Sequence, residues 1–127
     1  MTLRFLEDHL VMVPLSPRRP GCSVVEGKDI TPTKVKALAD AADACWSAIQ
    51  SRDLQAFATA YQASFNAQIA MFPAMVNPVA YGAPCPEASV EPYIQKYSQL
   101  PNVLAWKMPG AGGGGYLALV EIGRAHV

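Results

Sequence analysis

Two long segments in the middle of the chain carry apolar residues at helical spacing. Over residues 35–49 the apolar positions recur at three- and four-residue steps, which predicts a helix of about five turns. A second apolar stripe over residues 54–72 predicts another helix. Thr31 followed by Pro32 is a favourable helix start, and Asp53 can cap the second helix. Because the join between the two segments is short, we expect an antiparallel helical hairpin.

Continuous apolar runs near both ends of the chain predict strands. Residues 10–15 are expected to form a strand that is buried on both faces, and residues 103–108 and 116–120 predict two further strands. Residues 22–25 are a short strand candidate, and residues 87–100 predict a third, shorter helix. Strands at both ends with helices between them predict an α+β domain, in which the helices pack on one face of a small sheet.

Composition narrows the class of protein. The chain has 127 residues, of which 51% are hydrophobic and 16% charged, so one domain with a buried core is expected. Ten basic and ten acidic residues give a formal net charge of zero, which argues against a nucleic-acid binder and against a polybasic membrane anchor. No apolar run has the length of a transmembrane helix. We therefore expect neither nucleic acid nor a membrane as a partner.

The three cysteines are few, odd in number and far apart. Cys22, Cys45 and Cys85 include no Cys-x-x-Cys spacing, so a structural zinc site is not expected. An odd and sparse set is more typical of reduced thiols in a cytoplasmic protein than of a disulfide framework. The sequence thus favours a cytoplasmic location with free thiols.

A glycine-rich run is the most specific motif in the sequence. Residues 110–115 match the pattern G-x-G-x-x-G, but a dinucleotide-binding loop requires a helix to follow, and residues 116–120 have strand character instead. No Gly-Lys-Ser or Gly-Lys-Thr follows, which excludes a Walker A loop at this position. The bare backbone N–H groups of such a run can converge on an anion. The alternative is a hairpin loop that binds no ligand.

The segment 107–117, Lys-Met-Pro-Gly-Ala-Gly-Gly-Gly-Gly-Tyr-Leu, resembles the third, C-terminal motif of the GHMP small-molecule kinases. The loop with its aliphatic strand is most similar to the sugar-kinase branch, which includes fucose kinases and heptose 7-phosphate kinases. The helices before it, including the segment 67–73, also resemble that branch. The resemblance covers residues 5–120 and is more specific at the glycine motif than in the helices.

This resemblance implies an ATP-dependent phosphotransferase that acts on a sugar or sugar phosphate, with Mg²⁺ accompanying ATP. It implies a ferredoxin-like C-terminal domain whose glycine loop lies near the phosphates and forms one wall of the substrate cleft. The residues that would line the phosphate end are Gly110, Ala111, Gly112, Gly113 and Gly114. Their role would be positioning and electrostatic support, which is most of phosphoryl-transfer catalysis.

The sequence departs from the family pattern in what it lacks. The family's ATP-binding loop, Pro-x-x-x-Gly-Leu-Gly-Ser-Ser-Ala, is not present, and neither are the N-terminal domain and the catalytic acidic residue. We therefore expect residues 1–120 to be a truncated C-terminal domain that is inactive alone and needs the missing N-terminal kinase domain as its partner. Residues 121–127 can be back-translated into the start of a common sequencing adapter, so we expect a non-native tail. The alternative function is a non-catalytic α+β module that binds a phosphorylated ligand or a partner subunit.

The remaining polar candidates have simpler interpretations. The pair Arg18 and Arg19 is expected in an exposed turn, although it has the charge to meet a phosphate or a sugar. His9 has no Ser or Cys partner that the sequence identifies, so it does not indicate a nucleophilic triad. Asp40 and Asp43 fall on the polar face of their helix and are expected in solvent.

The aromatic residues are expected in the core, and one loop region is a candidate sugar border. The core candidates are Trp46, Trp106, Tyr61, Phe65 and Phe72. The segment 71–77 and the proline-rich loop 77–86 after it have the irregular composition of functional loops. If a sugar site exists, we expect this region to border it.

Overall fold

A computed structural model describes residues 2–15, 21–81, 83–85, 88–109 and 115–123. The helices are α1 (Thr2–His9), α2 (Pro32–Ser51), α3 (Leu54–Met71) and α4 (Glu91–Ser98), with a 3-10 turn at Pro73–Met75. The strands are β1 (Leu10–Pro14), β2 (Val79–Ala80), β3 (Ala83–Pro84), β4 (Val103–Lys107) and β5 (Tyr116–Glu121). None of the helices in these ranges combines the length and the low polarity needed to cross a bilayer.

The central helical hairpin is confirmed. The Thr31 side chain accepts a hydrogen bond from the Lys34 amide at 3.2 Å, and Asp53 accepts from the Ala56 amide at 3.1 Å. These bonds satisfy N–H groups that the first turns of α2 and α3 leave without helical partners. Between the helices Arg52 adopts a left-handed conformation with φ of 55°, which ends α2 and reverses the chain.

The main sheet has three antiparallel strands in the order β1-β5-β4. Strands β1 and β4 both run antiparallel to β5, so they are parallel to each other, and the segment that connects them contains α2, α3, the 3-10 turn, the β2-β3 pair and α4. A second, two-stranded antiparallel sheet joins β2 to β3. This arrangement confirms the predicted α+β class with a small antiparallel sheet.

Both faces of the central strand β5 are buried. Side chains alternate between the two faces of a strand, so Leu117 and Leu119 face one side and Val120 faces the other. The two leucines share a buried cluster with Phe65, whereas Val120 packs with Phe57, and both phenylalanines come from α3. Residues of the 3-10 turn and of α4 join the first cluster. The prediction that helices cover only one face is therefore wrong, because the chain after α3 folds over the second face.

The structure also corrects several local predictions. The strand of residues 10–15 was expected to be buried on both faces, but β1 lies at a sheet edge and its Met12 is 49% exposed. The third helix begins at Glu91 instead of residue 87, and Pro92 occupies its first turn. Helix α1 was not predicted, since its eight residues carry only a short apolar pattern. Residues 22–25 form no strand beyond a single bridge from Ser23.

The buried face of α2 differs from the predicted one. Trp46 was expected in the core, but it is 59% exposed, and Val35 is 48% exposed. The helix instead buries Ala41 and Ala48 against its neighbours. Because α2 is rich in alanine, apolar residues occur on more than one side, and spacing alone does not identify the side that α3 covers.

Two of the three cysteines form a disulfide, so the prediction of free thiols throughout is wrong. Cys22 and Cys85 are bonded across a sequence separation of 63 residues, with their Cα atoms 6.3 Å apart, and Cys45 is free. Beside the bond, the Ser23 amide donates to the Val79 carbonyl at 2.7 Å and the Val79 amide donates back at 3.1 Å. The fold brings the segments around Cys22 and Cys85 together, and the spacing of the cysteines in the sequence does not indicate this pairing.

Candidate functional site

The glycine run connects two neighbouring strands at one end of the sheet. The predicted site residues Gly110, Ala111, Gly112, Gly113 and Gly114 lie outside the described residues. On either side, β4 ends at Lys107 and β5 begins one residue after Gly115, and the two strands pair directly. Gly115 has a φ of +84°, a conformation that glycine adopts without strain, and its carbonyl accepts from the Leu15 amide at 2.6 Å. Gly115, the last residue of the run, therefore lies beside the end of β1.

Lys107 is the charged residue at the start of this connection. Its side chain is half-buried, and its Nζ donates to Ser64 Oγ at 3.1 Å and to Gln68 Oε1 at 2.7 Å. The same ammonium lies 5.8 Å from the centre of the Phe65 ring, within the range of a cation–π contact. Both hydrogen-bond acceptors are neutral. Within the described ranges Lys107 has no carboxylate partner.

The free thiol of Cys45 lies close enough to Lys107 for each group to influence the pKa of the other. Burial lowers the pKa of Lys107, and the charge of a Cys45 thiolate opposes that change. Burial raises the pKa of the Cys45 thiol, an effect that Lys107 opposes. Burial also raises the pKa of Tyr61, with a smaller contribution from Cys45. Among the described residues, the ammonium of Lys107 is held by the neutral acceptors of Ser64 and Gln68.

A cleft of about 360 Å³ opens between α3, the 3-10 turn, α4 and the edge strand β4. Its apolar lining consists of Phe65, Ile69, Pro73, Val76, Ile94 and Trp106, and its polar lining consists of Gln62, Asn66, Asn77 and Glu91. Three of these residues belong to the segment 71–77, which was expected to border any sugar site. The fold does place this segment at a cleft. Of the described residues in the proline-rich loop 77–86, Asn77 lines the cleft.

Hydrogen bonds fix the orientation of the amide groups in the cleft. The Trp106 amide donates to Gln62 Oε1 at 3.0 Å, and Gln62 Nε2 donates to Asn66 Oδ1 at 3.2 Å. On the opposite wall, Ser89 Oγ donates to Asn77 Oδ1 at 2.6 Å. Both asparagine oxygens are thus occupied, and their NH₂ groups have no partner among the described residues.

The other candidates from the sequence have structural explanations. His9 Nδ1 donates to the Glu121 carbonyl at 2.9 Å, and its ring packs on Phe5 with centroids 5.0 Å apart. Asp40 and Asp43 are exposed as predicted, and Asp40 pairs with a lysine one turn earlier. The pair Arg18 and Arg19 lies outside the described residues.

Two features of the site were not predicted from the sequence. They are the hydrogen bonds that hold Lys107 and the hydrogen bond between Gln62 and Asn66. Ser64 and Gln68 lie one helical turn apart on α3, a spacing that lets one lysine bond both. Gln62 and Asn66 repeat the same spacing two residues earlier. That repeat was the available signal, although only the fold shows that β4 passes beside it.

Searches of family models, of curated proteins and of solved structures found no match to this chain. The described part of the chain contains no group of three or more His, Cys, Asp or Glu side chains that could hold a metal ion.

Proposed function

We propose that this chain is the C-terminal domain portion of a GHMP-type sugar kinase, which transfers the γ-phosphate of ATP to a sugar hydroxyl. The observation that carries the proposal is the order of the strands. Strands β1 and β4 are parallel, the segment that connects them contains the helices α2, α3 and α4, and β5 lies between them in the sheet. This order supports the proposed ferredoxin-like split βαβ unit, in which the glycine run would be the β-to-β connection.

The strand order also separates this proposal from other glycine-loop functions. A dinucleotide-binding loop places its phosphates at the N-terminus of a helix, and here the run leads into β5 instead. In the proposed kinase, backbone N–H groups of residues 110–114 face the phosphates. Lys107, held by Ser64 and Gln68 at the start of the connection, adds positive charge at that end. Such groups act by positioning and charge stabilisation.

The chain supplies only part of this active site. In the proposed kinase, Mg²⁺ would arrive with ATP and be held by the phosphates and the missing N-terminal domain. The chain alone would be inactive. A cytoplasmic location belongs to the same proposal, and the disulfide between Cys22 and Cys85 is the feature least in keeping with it, because disulfides are rare in that compartment.

The first test is to sequence the source DNA through both ends of the reading frame. The proposal expects an in-frame glycine- and serine-rich phosphate loop upstream, and a longer domain in place of residues 121–127. A stop codon directly upstream of the first codon, together with a true end after residue 127, would refute the kinase proposal. The alternative, a non-catalytic binding module, would then be favoured, and the cleft beside Trp106 is the observation that supports it.

The second test measures phosphate transfer by the full-length parent protein. Labelled ATP and a panel of sugars and sugar phosphates should give a labelled sugar product. Lys107→Met should reduce kcat/KM for ATP by about tenfold or more, since a charge-assisted contact to a phosphate is lost. Lys96→Met removes the same charge from an exposed position on α4 and should leave the rate unchanged. Equal rates for the two variants would contradict the role given to Lys107.

A further inference from the structure

The cleft beside Trp106 combines an apolar floor with a small number of fixed polar groups. Trp106 is half-buried between β4 and α3, and it lines the cleft together with Ile94 and Val76. The cleft volume of about 360 Å³ falls within the range of small-molecule sites, which is roughly 300–1,000 Å³. An aromatic ring beside directional polar groups is suited to a ligand that has both C–H faces and hydroxyl groups.

The polar groups on the two walls are held so that they present donors. Asn66 Oδ1 is occupied by Gln62 Nε2, and Asn77 Oδ1 is occupied by Ser89 Oγ. Each asparagine therefore keeps its NH₂ group without a partner among the described residues, and rotating the amide would break an existing bond. The two side chains are preorganised donors, because their orientation is fixed before any ligand arrives.

The carboxylate of Glu91 is the hydrogen-bond acceptor in the cleft. It lines the same cleft from the first turn of α4, is exposed, and forms no ion pair within the described ranges. A negative carboxylate beside the site repels phosphates and carboxylates. Lys107, the cation of this region, is bonded to Ser64 and Gln68 and does not line the cleft. The carboxylate therefore disfavours an anionic ligand, and the two asparagine NH₂ donors require hydrogen-bond acceptors, which an ammonium group lacks.

We propose that this cleft binds a neutral sugar. A sugar hydroxyl can accept from an asparagine NH₂ group and at the same time donate to a carboxylate, which matches the groups of Asn66, Asn77 and Glu91. One C–H face of the ring then rests on Trp106. Assigning this sugar as the phosphate acceptor rests on the proposed kinase function, but binding itself does not.

The experiment uses the two tryptophans of the chain as reporters. Trp106 lines the cleft, whereas Trp46 is 59% exposed on α2 and does not line it. In ¹⁵N-indole NMR, titration of D-glucose, D-galactose and D-mannose should shift the Trp106 signal with at least one sugar and leave the Trp46 signal in place. No shift of Trp106 at about 100 mM of any of them, or equal shifts of both signals, would overturn the proposal. A stronger response to inorganic phosphate than to every sugar would also overturn it.

Isosteric variants then test the donors separately from the fold. Asn66→Asp and Asn77→Asp each keep an oxygen for the internal hydrogen bond and lose the free NH₂ group, so each should weaken sugar binding by about fivefold or more. Asn102→Asp makes the same change in an exposed turn before β4 and serves as the matched control. Unchanged affinity in both cleft variants, with the fold confirmed by amide spectra, would show that the cleft does not bind through these groups.

The outcomes distinguish this site from the kinase proposal. Sugar binding by the isolated chain, without any phosphate transfer by the parent protein, would support the site and refute the kinase. Phosphate transfer by the parent protein with no sugar response at Trp106 would support the kinase and refute this sugar site. The acceptor sugar would then bind elsewhere.

Discussion

Removing the disulfide between Cys22 and Cys85 should lower the stability of the domain substantially. The bond spans 63 residues of sequence, and closing a loop of that length in the unfolded chain corresponds to about 4 kcal/mol at 25 °C. For a domain of this size the loss corresponds to a fall in Tm of about 15 °C. The native contacts beside the bond, from Ser23 to Val79, should also weaken, because the tether that holds the two segments together is gone.

The assay compares the wild type with the double variant Cys22→Ala/Cys85→Ala by thermal and urea unfolding. Cys45→Ala is the control, since Cys45 is free and should tolerate the change with a much smaller effect. Thiol titration of the denatured, unreduced wild type should find a single free thiol, which belongs to Cys45. Three free thiols before reduction, or equal Tm values for the wild type and the double variant, would refute the reasoning.

Other predictions concern the core, one cap and one buried phenol. Phe57→Ala should cost about 3–5 kcal/mol in urea unfolding, whereas Trp46→Ala should cost less than about 1 kcal/mol, because the first side chain is 2% exposed and the second 59%. Asp53→Ala removes the cap of α3 and should cost about 1 kcal/mol. Burial raises the pKa of Tyr61, so the folded state favours the neutral phenol; that contribution is complete below the ordinary value of 10.0 and is lost as pH rises through the higher folded value. Between pH 10.0 and the higher folded pKa the wild type should lose stability relative to Tyr61→Phe, with Tyr81→Phe at a fully exposed position as the control.

The helical hairpin could be predicted from the sequence because its signals are local. Thr31 and Asp53 cap helices in the structure at the positions where their side chains suggested caps. The strands of residues 103–108 and 116–120 were also predicted within a residue of their ends. These elements depend on short-range spacing and on capping chemistry, both of which are visible in the order of residues.

Properties that depend on which surfaces meet could not be predicted in the same way. The exposed side of α2 carries Trp46 and Val35, so its apolar pattern pointed to the wrong face. The pairing of Cys22 with Cys85 depends on segments that are distant in sequence and adjacent in the fold. The same holds for the cleft, in which Asn66 and Asn77 come from walls that only the tertiary structure brings together.

Strand β4 carries an aromatic side chain, Trp106, and a charged side chain, Lys107, at successive positions. Because side chains alternate across a strand, Trp106 and Lys107 project to opposite faces of the sheet. Helix α3 reaches both of them, through Gln62 to the backbone amide of Trp106 and through Gln68 to the ammonium of Lys107. One helix therefore sets both the donor geometry of the cleft and the position of the charge at the start of the glycine run. In the proposed kinase, this shared support would keep the sugar in the cleft and the phosphates at the glycine run at a fixed distance and orientation. Such positioning is the main requirement of phosphoryl transfer.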